Sequence, residues 1–255
     1  MQYKDGRNSV CVSCMSGCPV GCKFCATGQM TYTRNLTHRE IVDQILHYQR
    51  MLVKKGKRVS NIVFMGMGEP MLNLESIIHS IETINNGKKL GIGSKHITVS
   101  TVGYVPQLKK FVSKLPNIRI AISLHSPFQE IRESIMPTIA KLHPIDELME
   151  LVTWYENTYH NRITYEYTLM KDVNDRVEDA IELTKLLFRK NALVNIIKYN
   201  PSPFIKEFLP SNEENTQRFI KILNERGIHN TLRYSMGDKI GGACGQLHPI
   251  NNINS

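Results

Sequence analysis

The 255-residue chain is 41% hydrophobic, which allows a well-buried core and fits one α/β domain. No apolar run approaches the roughly 18 residues that a membrane span needs, and Met1–Asn8 lacks the apolar segment of a secretory signal. We therefore expect a soluble, cytoplasmic protein with no membrane contact. The formal charge of +9, from 32 Lys and Arg against 23 Asp and Glu, favours a polyanionic partner such as nucleic acid.

Three cysteines lie within one short segment near the start of the chain. Cys18, Cys22 and Cys25 have the spacing Cys-x-x-x-Cys-x-x-Cys, with Phe24 before the third. Iron–sulfur clusters are normally held by four thiolates, so a loop with three leaves one iron of a cubane open to an external chelating molecule. This spacing resembles that of the radical SAM superfamily, in which S-adenosylmethionine (SAM) binds the open iron.

The same region also permits a different metal site. Cys11 and Cys14 add further Cys-x-x-Cys spacing, and such pairs can bind a tetrahedral zinc ion. Disulfides are disfavoured, because the five cysteines between positions 11 and 25 suit metal chemistry in a reducing compartment better than the stapling of a small secreted domain. The residues favour a 4Fe-4S cluster and leave zinc as the alternative.

Runs rich in β-branched residues alternate with segments of helical length along the rest of the chain. The predicted strands are Val10–Ser13, Asn61–Met65, His96–Thr101, Arg119–Leu124, Ile163–Leu169, Val194–Tyr199 and Thr231–Tyr234. Capping boxes that start helices are predicted at Thr37–Glu40 and Ser211–Glu214. The helix faces expected to be buried carry Ile41, Ile45, Tyr48 and Leu52 in one case, and Phe219, Ile222 and Leu223 in the other.

Parallel strands joined by right-handed helical crossovers give either a doubly wound sheet or a partial barrel. We favour an α/β fold that forms a partial (β/α)6 barrel of the TIM-like type. Residues 9–247 are then the single core domain, and the loosely tethered ends are an N-terminal tail of residues 1–8 and a C-terminal tail of residues 248–255.

Glycines and polar residues follow several of the predicted strands. Gly68 and Glu69 come after one strand, and the others are Ser100, Ser123, His125 and Asn200. Taken singly, each is also typical of a turn or a helix cap. Because the carboxyl ends of parallel strands meet at one rim, we expect these residues to lie together, facing the cysteine loop.

Motifs from about Ser9 to Leu247 resemble one family, the radical SAM adenine methyltransferases of ribosomal RNA known as the RlmN/Cfr family. The strings that carry this resemblance are Phe-Met-Gly-Met-Gly-Glu-Pro, Val-Ser-Thr-Val-Gly, Ile-Ser-Leu-His, Tyr-Asn-Pro and Ala-Cys-Gly-Gln-Leu. The resemblance implies a 4Fe-4S cluster on Cys18, Cys22 and Cys25. It also implies SAM contacts from Gly68, Glu69, Ser100, Ser123, Leu124, His125 and Asn200.

The resemblance further implies that two cysteines share the chemistry. Cys244 is the cysteine that is itself methylated, and Cys11 is the second catalytic cysteine. Adenine carbons lack a lone pair and cannot attack a sulfonium methyl group, whereas a thiolate can. One SAM would methylate Cys244, a second would give a 5′-deoxyadenosyl radical, and the activated methylene group would add to adenine before Cys11 resolves the link.

Two departures from the family pattern affect the expected substrate. Only ten residues precede Cys11, with Asp5 as their sole acid, so the family's N-terminal accessory domain and its glutamate are not expected in this chain. RNA recognition is then expected to depend on the basic barrel rim. Adenine carbon 2 of 23S rRNA or tRNA is favoured; carbon 8, another substrate, and a zinc-stabilised RNA-binding protein remain alternatives. A reductase or flavodoxin-type electron donor and a monomeric state are also expected.

Overall fold

The computed structural model describes residues 1–3, 5–233 and 236–248. Its centre is a seven-stranded sheet in which every neighbouring pair of strands is parallel. In spatial order the strands are β1 (Ser9–Cys11), β4 (Asn61–Phe64), β5 (Ile97–Thr101), β6 (Arg119–Ser123), β7 (Ile163–Leu169), β8 (Ala192–Lys198) and β9 (Asn230–Arg233). A separate antiparallel pair consists of β2 (Met15–Ser16) and β3 (Arg34–Asn35).

Helices connect each strand of the large sheet to the next. They are α1 (His38–Val53), α2 (Leu74–Asn85), α3 (Val105–Lys114), α4 (Gln129–Ile135), α5 (Pro137–Leu142), α6 (Ile145–Tyr159), α7 (Val177–Leu186) and α8 (Glu213–Glu225). Three of these helices, α4 to α6, lie between β6 and β7. No described helix is long and apolar enough to cross a membrane.

The predicted partial barrel is confirmed, and so are all seven predicted strands. The sheet ends at β1 on one side and β9 on the other, so the barrel is open. Buried Val, Ile and Tyr side chains such as Tyr165 and Tyr167 fill the strands, as expected for a parallel sheet covered by helices. Strand bounds differ by one or two residues; Tyr234, predicted to end the last strand, lies outside the described residues.

One of the two predicted capping boxes is confirmed and the other is wrong. Thr37 Oγ1 accepts from the Glu40 N–H at 3.3 Å, and the Glu40 carboxylate accepts from the Thr37 N–H at 2.9 Å. At α8 the N-cap is Asn212, which accepts from the Asn215 N–H at 2.7 Å. Ser211 lies one residue before this N-cap, and its buried hydroxyl donates to Asp175 at 2.6 Å.

The apolar faces of α1 and α8 are confirmed in part. Ile41, Ile45 and Leu52 are buried on α1, as are Phe219 and Leu223 on α8. Tyr48 is 48% exposed, which corrects the expectation of burial. Its side chain lines an open groove instead of the core.

The first residues of the chain are held against the sheet. The Met1 ammonium donates to the Ser9 carbonyl at 2.9 Å, and the Ser9 N–H donates to the Met1 carbonyl at 2.9 Å. Gln2 and Asn8 also form an antiparallel bridge. These contacts differ from the loose tethering expected of residues 1–8. At the other end, the His248 ring stacks on Phe204 at 3.8 Å, and residues 249–255 lie outside the described part.

Candidate active site

The three cysteines of the loop line one cavity of about 160 Å³ at the carboxyl ends of the strands. Cys22 is buried, and Cys18 and Cys25 are partly exposed. Backbone hydrogen bonds fix the loop: the Cys25 N–H donates to the Cys22 carbonyl at 3.2 Å, and the Gly28 N–H donates to the Cys25 carbonyl at 2.9 Å. The loop therefore presents three sulfurs to one enclosed space.

A glycine turn after β4 forms the opposite wall of this cavity. Gly68 has a φ of +102°, and a Cβ there would lie 2.6 Å from both Cβ and Cγ of Met15. A Cβ on Gly66 would lie 2.7 Å from the Val12 backbone. Only glycine fits these two positions, since both are in close contact with residues 12–15 and Gly68 is also left-handed.

We expect Gly68→Ala to lower the free energy of unfolding by about 2 kcal/mol or more, because strain at positive φ adds to the overlap with Met15. Urea denaturation measures this loss. Gly87→Ala is the matched control: a Cβ on Gly87 has no neighbour within 4 Å, so its effect should stay within about 0.5 kcal/mol. Equal losses in the two variants would contradict the proposed crowding at Gly68.

Glu69 follows the glycine turn and is the buried carboxylate of the cavity wall, with 3% exposure. Its oxygens accept from Thr101 Oγ1 at 2.6 Å, from the Val102 N–H at 2.9 Å and from the Met71 N–H at 3.0 Å. Burial raises the pKa of Glu69 to about 7 despite these hydrogen bonds. A cation that enters the cavity would favour the ionised carboxylate.

Polar side chains from β5 and the end of β6 also face the cavity. Ser100 Oγ and Ser123 Oγ are 3.4 Å apart, and both residues line the cavity together with His125. His125 Nδ1 accepts from the Thr168 N–H at 3.1 Å, so the neutral ring carries its proton on Nε2. The His125 ring also packs edge-on against Phe24, with centroids 4.8 Å apart.

Burial, with a smaller contribution from the neighbouring Arg132, lowers the pKa of His125 to about 3. Below pH 6.5 the unfolded chain therefore binds a proton that the folded protein excludes, and stability falls as the pH is lowered. From pH 7 to pH 5 we expect this group to cost about 2 kcal/mol. Urea denaturation of wild type and His125→Gln at both pH values tests this, since only the wild type should show that loss. The same pH dependence in both proteins would contradict it.

Three of the predicted site residues do not line this cavity. Leu124 is fully buried, and its carbonyl accepts from Arg132 Nη1 at 2.6 Å. Asn200 donates through Nδ2 to the Cys244 carbonyl at 3.0 Å, so it holds the backbone of that cysteine. Cys11 lies on a neighbouring cavity. The structure therefore brings Gly68, Glu69, Ser100, Ser123 and His125 together with the cysteine loop, and leaves the other two predicted SAM contacts at its border.

A second cavity, of about 530 Å³, joins the two remaining predicted cysteines. Cys11 and Cys244 both line it, and neither is in a disulfide. Both residues are exposed as a whole, but their surroundings are crowded enough that burial raises the pKa of both thiols. Cys244 also lines the first cavity, beside Cys25 and Gly245. The Ala26 N–H donates to the Gly245 carbonyl at 2.7 Å and thereby fixes the segment of Cys244 against the cysteine loop. Cys244 thus borders both spaces.

Comparison with known proteins agrees with this geometry. Residues 12–184 match the family described as the Radical SAM superfamily. The chain is 47% identical over 244 residues to a probable dual-specificity RNA methyltransferase RlmN of Dictyoglomus thermophilum, covering 96% of this chain and 70% of that protein. It is 44% identical over 249 residues to one of Clostridium botulinum, covering 97% of this chain and 70% of that protein. The chain belongs to the RlmN family of radical SAM enzymes.

Solved structures support the RlmN family membership. A radical SAM methyltransferase from Sphaerobacter thermophilus has a TM-score of 0.94 at 41% identity, over 97% of this chain and 72% of that one. Streptococcus suis SuiB bound to S-adenosylmethionine has a TM-score of 0.67 at 13% identity, over 90% of this chain and 51% of that one, and shows the fold alone. As a member of its family, the protein is a radical SAM methyltransferase that uses a 4Fe-4S cluster and SAM.

The residues around the cysteine loop fit an anionic cluster. Arg132 is fully buried below this loop, and its Nε and Nη2 atoms have no hydrogen-bond partner. Burial lowers the pKa of Arg132 to about 10, and Cys22 acts in the opposite direction. A cluster on three thiolates would supply the negative charge that this buried guanidinium otherwise lacks.

The zinc alternative finds less support in the RlmN-family structure. Among residues 1–3, 5–233 and 236–248, no three His, Cys, Asp or Glu side chains are close enough together to hold a single metal ion. Zinc needs its ligands around one centre, whereas the thiolates of a cubane each bind a different iron. A cluster of several irons does not need the three sulfurs around one centre.

Several residues of the site were not singled out from the sequence. They are Arg132, Glu166, Thr168, Tyr199 and Arg233. Glu166 is 4% exposed on β7 and lines the first cavity. A charged residue inside an otherwise apolar strand, such as Glu166 in Ile163–Leu169, was the available signal, because buried charges are rare unless they are paired.

Proposed function

We propose that this RlmN-family enzyme methylates an adenine carbon, with carbon 2 favoured, in 23S rRNA, tRNA or both. The relatives in Dictyoglomus and Clostridium are named dual-specificity RNA methyltransferases, and the net charge of +9 suits an RNA partner. The observation that carries the proposal is that Cys244 borders two cavities, one with the cysteine loop and one with Cys11.

In this proposal residues 9–247 are the functional core. Cys18, Cys22 and Cys25 would hold the cluster. SAM would bind to Gly68, Glu69, Ser100, Ser123, Leu124, His125 and Asn200. When bound, SAM would supply a transferable methyl group, and SAM and the cluster together would supply one-electron chemistry. Glu69 would pair with the ammonium of SAM, and the neutral His125 would donate through Nε2 without adding a charge.

Cys244 would be the first acceptor of the methyl group. Its thiolate is a good nucleophile toward a sulfonium methyl group, and an adenine carbon has no lone pair for that displacement. The S-methyl group would then lose one hydrogen, and its carbon would form a bond with the adenine ring. This intermediate is a covalent link between Cys244 and the RNA.

Cys11 would release the product. After the ring carbon loses its proton and the adduct gives up one electron, which the cluster would take back, the Cys11 thiolate would attack the Cys244 sulfur, a disulfide would form and the bond between sulfur and methylene carbon would break. The electron pair of that bond stays on carbon, which takes up a proton and becomes the methyl group. The target base must be unstacked to reach this space.

The segment that carries Cys244 suits this movement between two partners. Gly237, Gly241 and Gly245 have φ values of +88°, +66° and +81°. A Cβ on Gly241 would have no neighbour within 4 Å, and one on Gly245 only the Phe24 carbonyl at 3.7 Å. Gly241 and Gly245 therefore serve left-handed turns with room around them, and the hydrogen bonds to the Cys244 and Gly245 carbonyls would have to open for the segment to move.

The test is anaerobic reconstitution with iron and sulfide, incubation with SAM and reductant, and mass analysis of the Cys244 peptide. We expect one added methyl group on Cys244 and none on the peptide that carries Cys14. With RNA present, nucleoside analysis against 2-methyladenosine and 8-methyladenosine standards identifies the carbon. An unmodified Cys244 would contradict the mechanism. Detection of 8-methyladenosine would show that the methylated position is carbon 8 and not carbon 2.

A further inference from the structure

Arg233, at the end of β9, is the charged side chain of the cavity that Cys11 and Cys244 share. Among the described lining residues it is the one Lys, Arg, Asp or Glu, and most of the others are apolar, such as Met65, Ile197 and Leu232. Its side chain is 28% exposed. A guanidinium in an apolar cavity with two thiols requires an explanation, because a buried charge is costly unless something uses it.

A chain of polar contacts inside the barrel fixes this guanidinium. Arg233 Nη1 lies 3.5 Å from Glu166 Oε2, and Glu166 Oε1 accepts from Asn195 Nδ2 at 2.9 Å. Asn195 Oδ1 in turn accepts from Thr231 Oγ1 at 2.7 Å. Strands β7, β8 and β9 each contribute to this chain, so the position of the Arg233 charge is set by the sheet itself.

The positive charge of Arg233 favours the ionised form of Cys11, which is the form that the proposed reaction needs. Burial and, to a smaller extent, the neighbouring Cys244 raise the pKa of the Cys11 thiol to about 12. A hydrogen bond with the Met65 backbone, the Arg233 charge and the α-amino group of Met1 act in the opposite direction. Cys244 faces Arg233, Glu166, Cys25 and Cys11. A thiolate in such a space therefore depends on the nearby cation.

We propose that Arg233 is a positioning residue for Cys11. Held by Glu166 and Asn195, its guanidinium keeps a positive charge beside the two cysteines, where it favours the Cys11 thiolate that attacks the Cys244 sulfur. This inference rests on the proposed function for the use of that thiolate. The step itself is a thiolate–sulfur displacement, with the electron pair of the broken bond leaving on carbon.

The test measures the thiol without RNA or SAM. Cluster-loaded protein is treated with iodoacetamide under anaerobic conditions from pH 7 to pH 9, and the alkylation of the Cys11 peptide is followed by mass spectrometry. We expect Arg233→Met to slow alkylation of Cys11 about tenfold, the factor for one pKa unit. Arg233→Lys keeps the charge and should stay within about threefold of wild type. Arg226→Met, an exposed arginine after α8, is the control and should leave the rate unchanged.

Glu166→Gln separates electrostatics from structure. The Gln oxygen can still accept from the Arg233 guanidinium and hold it in place, but the variant removes the negative charge that offsets Arg233, so Cys11 should be alkylated at the wild-type rate or faster. Arg233→Gln is a second uncharged variant, should the Met variant fold poorly. Unchanged alkylation in both uncharged variants, or equal slowing in Glu166→Gln, overturns the inference. The proposed function is tested separately by the mass of the Cys244 peptide.

Discussion

Cys22→Ala will lose the iron and acid-labile sulfide of the anaerobically reconstituted protein. Cys22 is the buried member of the three cysteines, and it lies beside the fully buried Arg132. Removing it leaves two thiolates for a cluster and a buried cation without a counter-charge. Loss of residues that only support a metal ligand costs about 10- to 100-fold, so loss of a ligand should lower SAM cleavage and RNA methylation by about 100-fold or more.

Cys14→Ala is the matched control for this experiment. Cys14 is buried, and a Cβ added at Gly68 would lie 2.9 Å from its sulfur, so it packs under the glycine turn and does not line the cavity. We expect full iron and sulfide content and a stability loss of about 1 kcal/mol. Iron retained in Cys22→Ala, or lost as completely in Cys14→Ala, would contradict the assignment of ligands. Iron analysis, sulfide analysis and 5′-deoxyadenosine production together give the result.

Cys11→Ser will trap the RNA on the protein. A serine hydroxyl ionises too weakly to attack the Cys244 sulfur, so the methylene link should form and then persist. The reaction should stop after at most one linked RNA per protein molecule, with no released product. The protein–RNA adduct should appear on a denaturing gel. The effect is large because resolution of the link is the step that returns the enzyme to a second turnover.

Cys244→Ser is the counterpart of that variant. It removes the proposed methyl acceptor, so neither adduct nor methylated RNA should form, although the cluster should be retained. The Asn200 contact is made to the backbone carbonyl of residue 244 and can persist in the variant. Normal turnover by Cys11→Ser without an adduct would show that another group, or water, releases the product.

The fold was largely predictable because its signals are local. Most of the seven strands are short runs rich in β-branched or aromatic residues, and Thr37 with Glu40 marks the start of α1 within four positions. The rim of the site followed from topology, since parallel strands place their carboxyl ends together. Gly68, Ser100 and His125 therefore lie on one cavity, as expected.

What the sequence did not reveal depends on partners that are distant in the chain. The contact between Glu166 and Arg233 joins residues 67 positions apart, and no local pattern pairs them. Ser211 has the residue type of an N-cap, but α8 begins one residue later, after Asn212, and the Ser211 hydroxyl binds Asp175, 36 positions away. Backbone pairing likewise holds the first residues, from Met1 to Ser9, against one another, and their polar composition does not indicate this pairing.

The origin of the three hydrogens in the new methyl group shows whether that group passes through Cys244. The reaction is run with SAM that carries a trideuterated methyl group. The RNA product is digested to nucleosides, and their masses are measured by mass spectrometry. Because the methyl group passes through Cys244, loses one hydrogen there and takes one from solvent on release, the account predicts methyladenosine with two deuterium atoms. A product with three deuterium atoms would mean direct transfer to the base, and the role given to Cys244 and Cys11 would be wrong.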